Sequence, residues 1–211
     1  MAVVLAQHNI PLAIMDHLSP LFRDIFPDSK IAKGFSAART KTTCIMNMAL
    51  RPHFESVLVA HMKEHPFALA IDGSNDTGLQ KMNPLTVRIF DLESGFVCTK
   101  FLDMCLTSGT DAGTAEKIFE AMEDALVSRD IPWENCIGLS VDNTSVNIGK
   151  HNSIKSRAIL RNPSIYVMGC PCHIIHNMAQ KASQAFCNVS GSIILLMVDY
   201  LLWLSKLGDW I

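Results

Sequence analysis

Two apolar runs, seventy residues apart, each end in an aspartate, and the pair constrains the fold more than any other feature. "FALAID" (67–72) closes on Asp72 and passes into "GSND"; "CIGLSVD" (136–142) closes on Asp142 and passes into "NTSVN". The first run is apolar on both faces, the pattern of a strand inside a sheet rather than at its edge. A strand end is where a sheet presents a side chain to solvent. Two such ends brought side by side would place two carboxylates together.

The elements between and around these runs set the expected topology. "NPLTVRIFDLESGFVCTKFLDMCLT" (83–107) reads as two antiparallel strands, with "ESG" (93–95) as the hairpin turn. "TDAGTAEKIFEAMEDALVSRD" (110–130) is an amphipathic helix with Thr110 or Asp111 as cap and Ile118, Phe119, Met122 and Leu126 on its apolar stripe. "NCIGLSVD" (135–142) is a buried strand and "SIKSRAILRNP" (153–163) a short basic helix stopped by Pro163. "IYVMGC" (165–170) is a third short buried strand, followed by helices over 173–186 and 191–207. The expected fold class is α/β. It is a ribonuclease-H-like mixed sheet of three antiparallel strands followed by alternating helix and strand, with an N-terminal helical segment and a C-terminal helix. In that order the first and fourth strands are neighbours and parallel, so Asp72 and Asp142 share one end of the sheet.

Three segments are expected: helical residues 1–64, a partial ribonuclease-H-like core over 65–187, and the start of a helical insertion at 188–211. Within the first, Pro11 and Pro20 are expected to divide short helices, since proline is tolerated in a first helical turn. Residues 26–42 read as a basic loop, and 40–66 carry a helical apolar period.

Two adjacent carboxylates repel unless a cation lies between them. A hard divalent ion, Mg²⁺ or Mn²⁺, takes oxygen ligands. Two such ions activate an attacking oxygen and stabilise a leaving one in phosphodiester chemistry. Asp72 and Asp142 are therefore candidate catalytic and metal-binding residues. Aspartate and asparagine after a strand also make turns and helix caps, and "DNTSVN" (142–147) suits that role equally. Asp76 and Asp103 are alternative partners for a nuclease site. "CPCHIIH" (170–176) holds Cys170, Cys172, His173 and His176, residue types that invite zinc. Cys170 and Cys172, two apart at a strand end, would point to opposite faces, so a packing role stands beside the zinc reading.

Composition narrows the partners. A formal net charge of −2 is a weak footprint for gripping a phosphate backbone, so DNA contact would rest on local basic residues such as Lys150, Lys155, Arg157 and Arg161. The seven cysteines show no disulfide-like frame, and no N-terminal segment has the pattern of a signal peptide. A nuclear or cytoplasmic location is expected. "SIILLMVDYLLWL" (192–204) is shorter than the roughly 20 residues of a membrane span and is broken by Asp199, so no membrane partner is expected. "SGTDAGT" (108–114) lacks the lysine of a nucleotide-binding P-loop.

"AIDGSNDTGLQKMNPLTVRIFD" (70–91), "LSVDNTSVNIG" (139–149) and "GCPCHIIHN" (169–177) together resemble a transposase of the hAT superfamily, and the likeness extends through 8–43. It implies a ribonuclease-H-like catalytic core with an Asp, Asp, Glu triad that cleaves and joins DNA with divalent metal. Asp72 matches the first aspartate and Asp142 the second. Cys170 and His173 match a Cys-x-x-His that supports DNA handling near the active site. The family's glutamate follows a large helical insertion. Glu93, Glu116, Glu120 and Glu123 precede the second aspartate and do not match it in order. The expectation is a truncated, transposase-derived core that is inactive as this chain, with DNA as partner of the ancestral protein. The alternative is a domesticated, non-catalytic scaffold for DNA or protein, self-associating through its apolar C-terminal helix.

Overall fold

The computed structural model describes residues 1–73 and 80–185. The chain divides into two compact units, Met1–Ala60 and a second that begins at His61.

The first unit is helical. It contains α1 (Ala2–Gln7), α2 (Met15–Ile25), α3 (Lys30–Gly34) and α4 (Arg39–Ile45). A π-helical turn over Met46–Leu50 leads into α5 (Arg51–Glu64). Two expectations change here. Pro11 does precede a helical turn, but Pro20 lies inside α2 instead of dividing two helices. The helix is held through it by its side chains. Ser19 donates to the Ala37 carbonyl at 2.7 Å and accepts from the Ala37 N–H, and Asp16 Oδ1 accepts the Arg39 N–H at 2.8 Å. The basic stretch 26–42 is not a plain loop either. Ser29 caps α3 by accepting the Ala32 N–H, and α4 starts at Arg39. The periodic segment 40–66 is helical as far as Glu64, with the π turn placed just before Pro52, whose missing N–H cannot close a regular α-helical bond.

The second unit is a five-stranded mixed sheet with helices. Its strands are β1 (Phe67–Ile71), β2 (Gln80–Asp91), β3 (Phe96–Ser108), β4 (Cys136–Val141) and β5 (Tyr166–Gly169). In space they run β3-β2-β1-β4-β5, so the order across the sheet differs from the order along the chain. β1–β2 and β2–β3 are antiparallel; β1–β4 and β4–β5 are parallel. The apolar run 67–71 is thus central, as its two-sided hydrophobicity requires.

Local chemistry sets each junction. Asp91 closes the hairpin, accepting from the Glu93 N–H and the Ser94 hydroxyl, and Gly95 supplies the positive φ of 73°. Pro84 falls in the part of β2 that pairs with β3 but not β1, where one strand edge makes no ladder bonds. The β2–β3 register slips by one residue at Leu102, a bulge. α6 (Ala115–Val127) starts later than expected. Its cap is Thr114, not Thr110 or Asp111, because residues 109–114 form a turn held by the Ala112 and Thr114 N–H groups. Between β4 and β5 there are two helices where one was expected: α7 (Ser145–Ile148) and α8 (Ile154–Arg161), the latter opened by a Ser153–Ser156 capping box. α9 (Pro171–Ala185) follows β5.

The core lies on one face of the sheet. Leu69, Ile71, Leu85, Val87, Leu139 and Val141 are all buried there, and Met122 and Leu126 of α6 with Ile154 and Ala158 of α8 are buried too. Asparagines clamp the connections. Asn162 donates to the Trp133 and Cys136 carbonyls at 3.1 and 3.0 Å, and Asn135 to the Met62 and Lys63 carbonyls at the end of α5. The last turn of a helix leaves such carbonyls without intrahelical partners, which is why the second clamp forms. The expected helix over 191–207 and the alternative carboxylate Asp76 lie outside the described residues.

Candidate functional site

β1 and β4 pair in parallel with Leu69 opposite Leu139 and Ala70 opposite Ser140. Asp72 and Asp142 each stand two residues beyond that last pair. They therefore occupy equivalent positions at one end of neighbouring strands, whose backbones run about 4.8 Å apart in any sheet. The parallel neighbouring strands expected from the two apolar runs are present, and Asp142, but not Asp72, is among the residues lining the hollow described below.

Asp142 is fixed by its own loop. Its Oδ1 accepts the Thr144 N–H at 2.8 Å and the Asn147 side-chain amide at 2.6 Å. Burial alone would raise this carboxyl. The hydrogen bonds from Thr144 and Asn147, with the electrostatic influence of the nearby His173 ring, outweigh it and hold the group below its ordinary value. Asp142 is thus a carboxylate at neutral pH, the form a cation binds. It also performs the turn-making work that "DNTSVN" suits.

The loop after β4 is tied to the end of β5. Cys170 donates its N–H to the Val141 carbonyl at 2.8 Å, and its own carbonyl accepts the Asn143 amide at 2.7 Å. A Cβ on Gly169 would overlap the Asn143 side chain, so glycine is required for this approach. Cys170 acts here through its backbone. Cys172 is in the first turn of α9 and not on the strand, which corrects the reading that Cys170 and Cys172 alternate across the sheet. His173 is the next residue of α9. Its Nδ1 is buried without a hydrogen-bond partner, while the ring lies close enough to Asp142 to influence its ionisation. Among the described residues no three His, Cys, Asp or Glu side chains form a group able to hold a metal ion, and that includes Cys170, Cys172, His173 and His176.

Beside Asp142 is a hollow of about 210 Å³. Its polar lining is Asp142, Thr144, Asn147, Lys81 and Asn83. Asn83 is 1% exposed and donates to the Cys105 carbonyl at 3.1 Å, with its Oδ1 close against Gly73. Lys81 lies over Gly113, in space that any side chain there would fill. None of Asn83, Lys81, Asn143 and Asn147 was singled out from the sequence. Asn147, five residues after an aspartate at a strand end, carried the clearest signal.

Asp103 is elsewhere. It pairs with Leu85 across β2–β3, on the face covered by α6, and is bound to Arg129 at 2.9 Å. Two of the basic residues of α8, Arg157 and Arg161, are also engaged. Arg161 donates to Glu123 at 3.0 Å and Arg157 stands 3.8 Å from Glu116, so both are joined to α6. No helix among the described residues is long and apolar enough to cross a membrane. The chain matches no protein-family model.

Proposed function

We propose that the shared end of β1 and β4 is a cation-binding half of a metal-dependent phosphoryl-transfer centre in a ribonuclease-H-like, hAT-type transposase-derived core. Asp72 and Asp142 are its ligands, Mg²⁺ or Mn²⁺ its ion and DNA its ancestral substrate. The observation that carries this reading is the parallel β1–β4 register, which sets the two aspartates at equivalent positions. The ionised state of Asp142 supports it. In such a centre the metal supplies the Lewis acid that lowers the barrier to attack on a phosphodiester. The protein's part is to hold the carboxylates. Asn147 and Thr144 orient Asp142, and the Asn143–Cys170 clamp fixes the loop that carries it. His173, beside Asp142, is the DNA-handling residue together with Cys170. Two carboxylates hold a divalent ion weakly, so strand cleavage by this chain is expected to be negligible.

Calorimetric titration with Mn²⁺ tests the reading. The folded chain should bind, and the Asp72→Ala/Asp142→Ala variant should not. A second reading, a non-catalytic scaffold, is favoured by one observation: Asp142 Oδ1 already serves Thr144 and Asn147, a role that needs no metal. Absence of Mn²⁺ binding in the folded parent chain would decide for the scaffold.

A further inference from the structure

The sheet has a second face, opposite the one covered by α6 and α8, with large apolar side chains on both flanks and Thr86, Arg88 and Thr99 among them. The pairing rows place Phe90, Val97, Phe101 and Met104 on this face at the β2–β3 side, and Tyr166 and Met168 on it at the β5 side. Phe90 and Phe101 are each 51% exposed and Tyr166 70%. Between these two ridges the paired rows of β1 and β4 carry small residues, Ala68 and Ala70 beside Gly138 and Ser140, and the one large side chain is Ile137 at the β4 bulge, 57% exposed. Large side chains on both flanks and small ones in the middle make a trough. A helix fits such a shape, because small residues let its backbone come close while the ridges grip its sides.

One charge interrupts the face. Among the paired residues on it, Arg88 is the charged one. The chain carries a segment with the matching pattern. "SIILLMVDYLLWL" (192–204) is apolar except for Ser192, Asp199 and the hydroxyl of Tyr200, and Asp199 is its one charge. As a helix, thirteen residues span about 20 Å. Five strands span about 19 Å between the outer two. The segment begins seven residues after the end of α9, which itself leaves the end of β5 with Ile174, Ile175 and Met178 exposed. Contiguous exposed apolar side chains mark a surface that takes part in an interaction.

We infer that the open face of the sheet is the docking surface for the chain's own residues 192–204, with Asp199 set against Arg88. The inference is independent of any metal chemistry at the opposite residues of the strand ends. It gives the apolar C-terminal segment an intrachain role in place of self-association.

The test uses the full 211-residue chain with a photoreactive benzoyl-phenylalanine in place of Phe101. A mixture of ordinary and ¹⁵N-labelled chains is irradiated and the cross-linked peptides are mapped. Cross-links should join position 101 to residues 192–204 of the same chain. At a urea concentration that halves the yield, Arg88→Glu and Asp199→Arg should each lower it about threefold, the weight of a modest ion pair. The Arg88→Glu/Asp199→Arg double variant should recover the parent yield. Cross-links between labelled and unlabelled chains would assign the face to a second copy and overturn the inference. So would cross-links to residues 1–60, or a double variant no better than the singles.

Discussion

The Asn143 side-chain amide donates to the Cys170 carbonyl at 2.7 Å, joining the loop after β4 to the start of α9. Gly169 leaves the space in which that amide lies. Asn143→Ala should destabilise the fold by about 1–2 kcal/mol, since a part-buried carbonyl loses its partner. Gly169→Ala displaces the same amide and should cost a similar amount. The double variant should cost less than the sum, because both changes remove one contact. Urea unfolding of the four proteins measures this directly.

Asp142 makes a second prediction. Its carboxyl is held below its ordinary value, so the folded state favours the ionised form. The stability it contributes is fully present above the unfolded carboxyl pKa, about 3.9, and is lost as pH falls through the lower folded value. Unfolding free energies measured from pH 7 to pH 2.5 should fall more steeply below pH 4 in the parent than in Asp142→Asn. Parallel curves would show that the hydrogen bonds from Thr144 and Asn147 are not made in solution.

Burial pushes the thiols of Cys105 and Cys136 up to about 12. Both are neutral thiols at pH 8 and poor nucleophiles. Cys44 is exposed. Mass spectrometry after brief alkylation at pH 8 should find Cys44 modified, and Cys105 and Cys136 modified only after denaturant is added. Early modification of Cys136 would contradict its place in the central sheet.

Asn162 bridges two backbone carbonyls from a buried position. Asn162→Ala leaves both without that donor and should destabilise by about 2–3 kcal/mol. Asn152→Ala, at an exposed position, should change stability by less than about 0.5 kcal/mol. Thermal unfolding of the pair separates a structural clamp from a general effect of losing asparagine.

Much of the sheet was legible because its signals are periodic and local. The alternation in 83–91, the turn chemistry of Asp91 and Gly95, and the two-sided hydrophobicity of 67–71 each need only a few neighbours to read. Pro20 was misread because the contacts that hold α2 through it come from Ala37 and Arg39, about twenty residues away. The α6 cap was misplaced because Thr110, Asp111 and Thr114 are equally good capping residues, and the turn at 109–114 chooses among them. At the site, Asp72 and Asp142 were visible as breaks in apolar runs. Asn143, Lys81 and Asn83 were not, since each gains meaning only when a distant glycine, Gly169, Gly113 or Gly73, is folded against it.

The joint placement of Asp72 and Asp142 is tested most directly by iron-mediated cleavage. Fe²⁺ substitutes for Mg²⁺ at oxygen sites and, with ascorbate and peroxide, cuts the backbone beside the ion. Two cuts are expected, one near Asp72 and one near Asp142, both suppressed by excess Mg²⁺ and both lost in either single alanine variant. Cleavage at one aspartate without the other, or none at either in the folded chain, would contradict a shared cation site at the ends of β1 and β4.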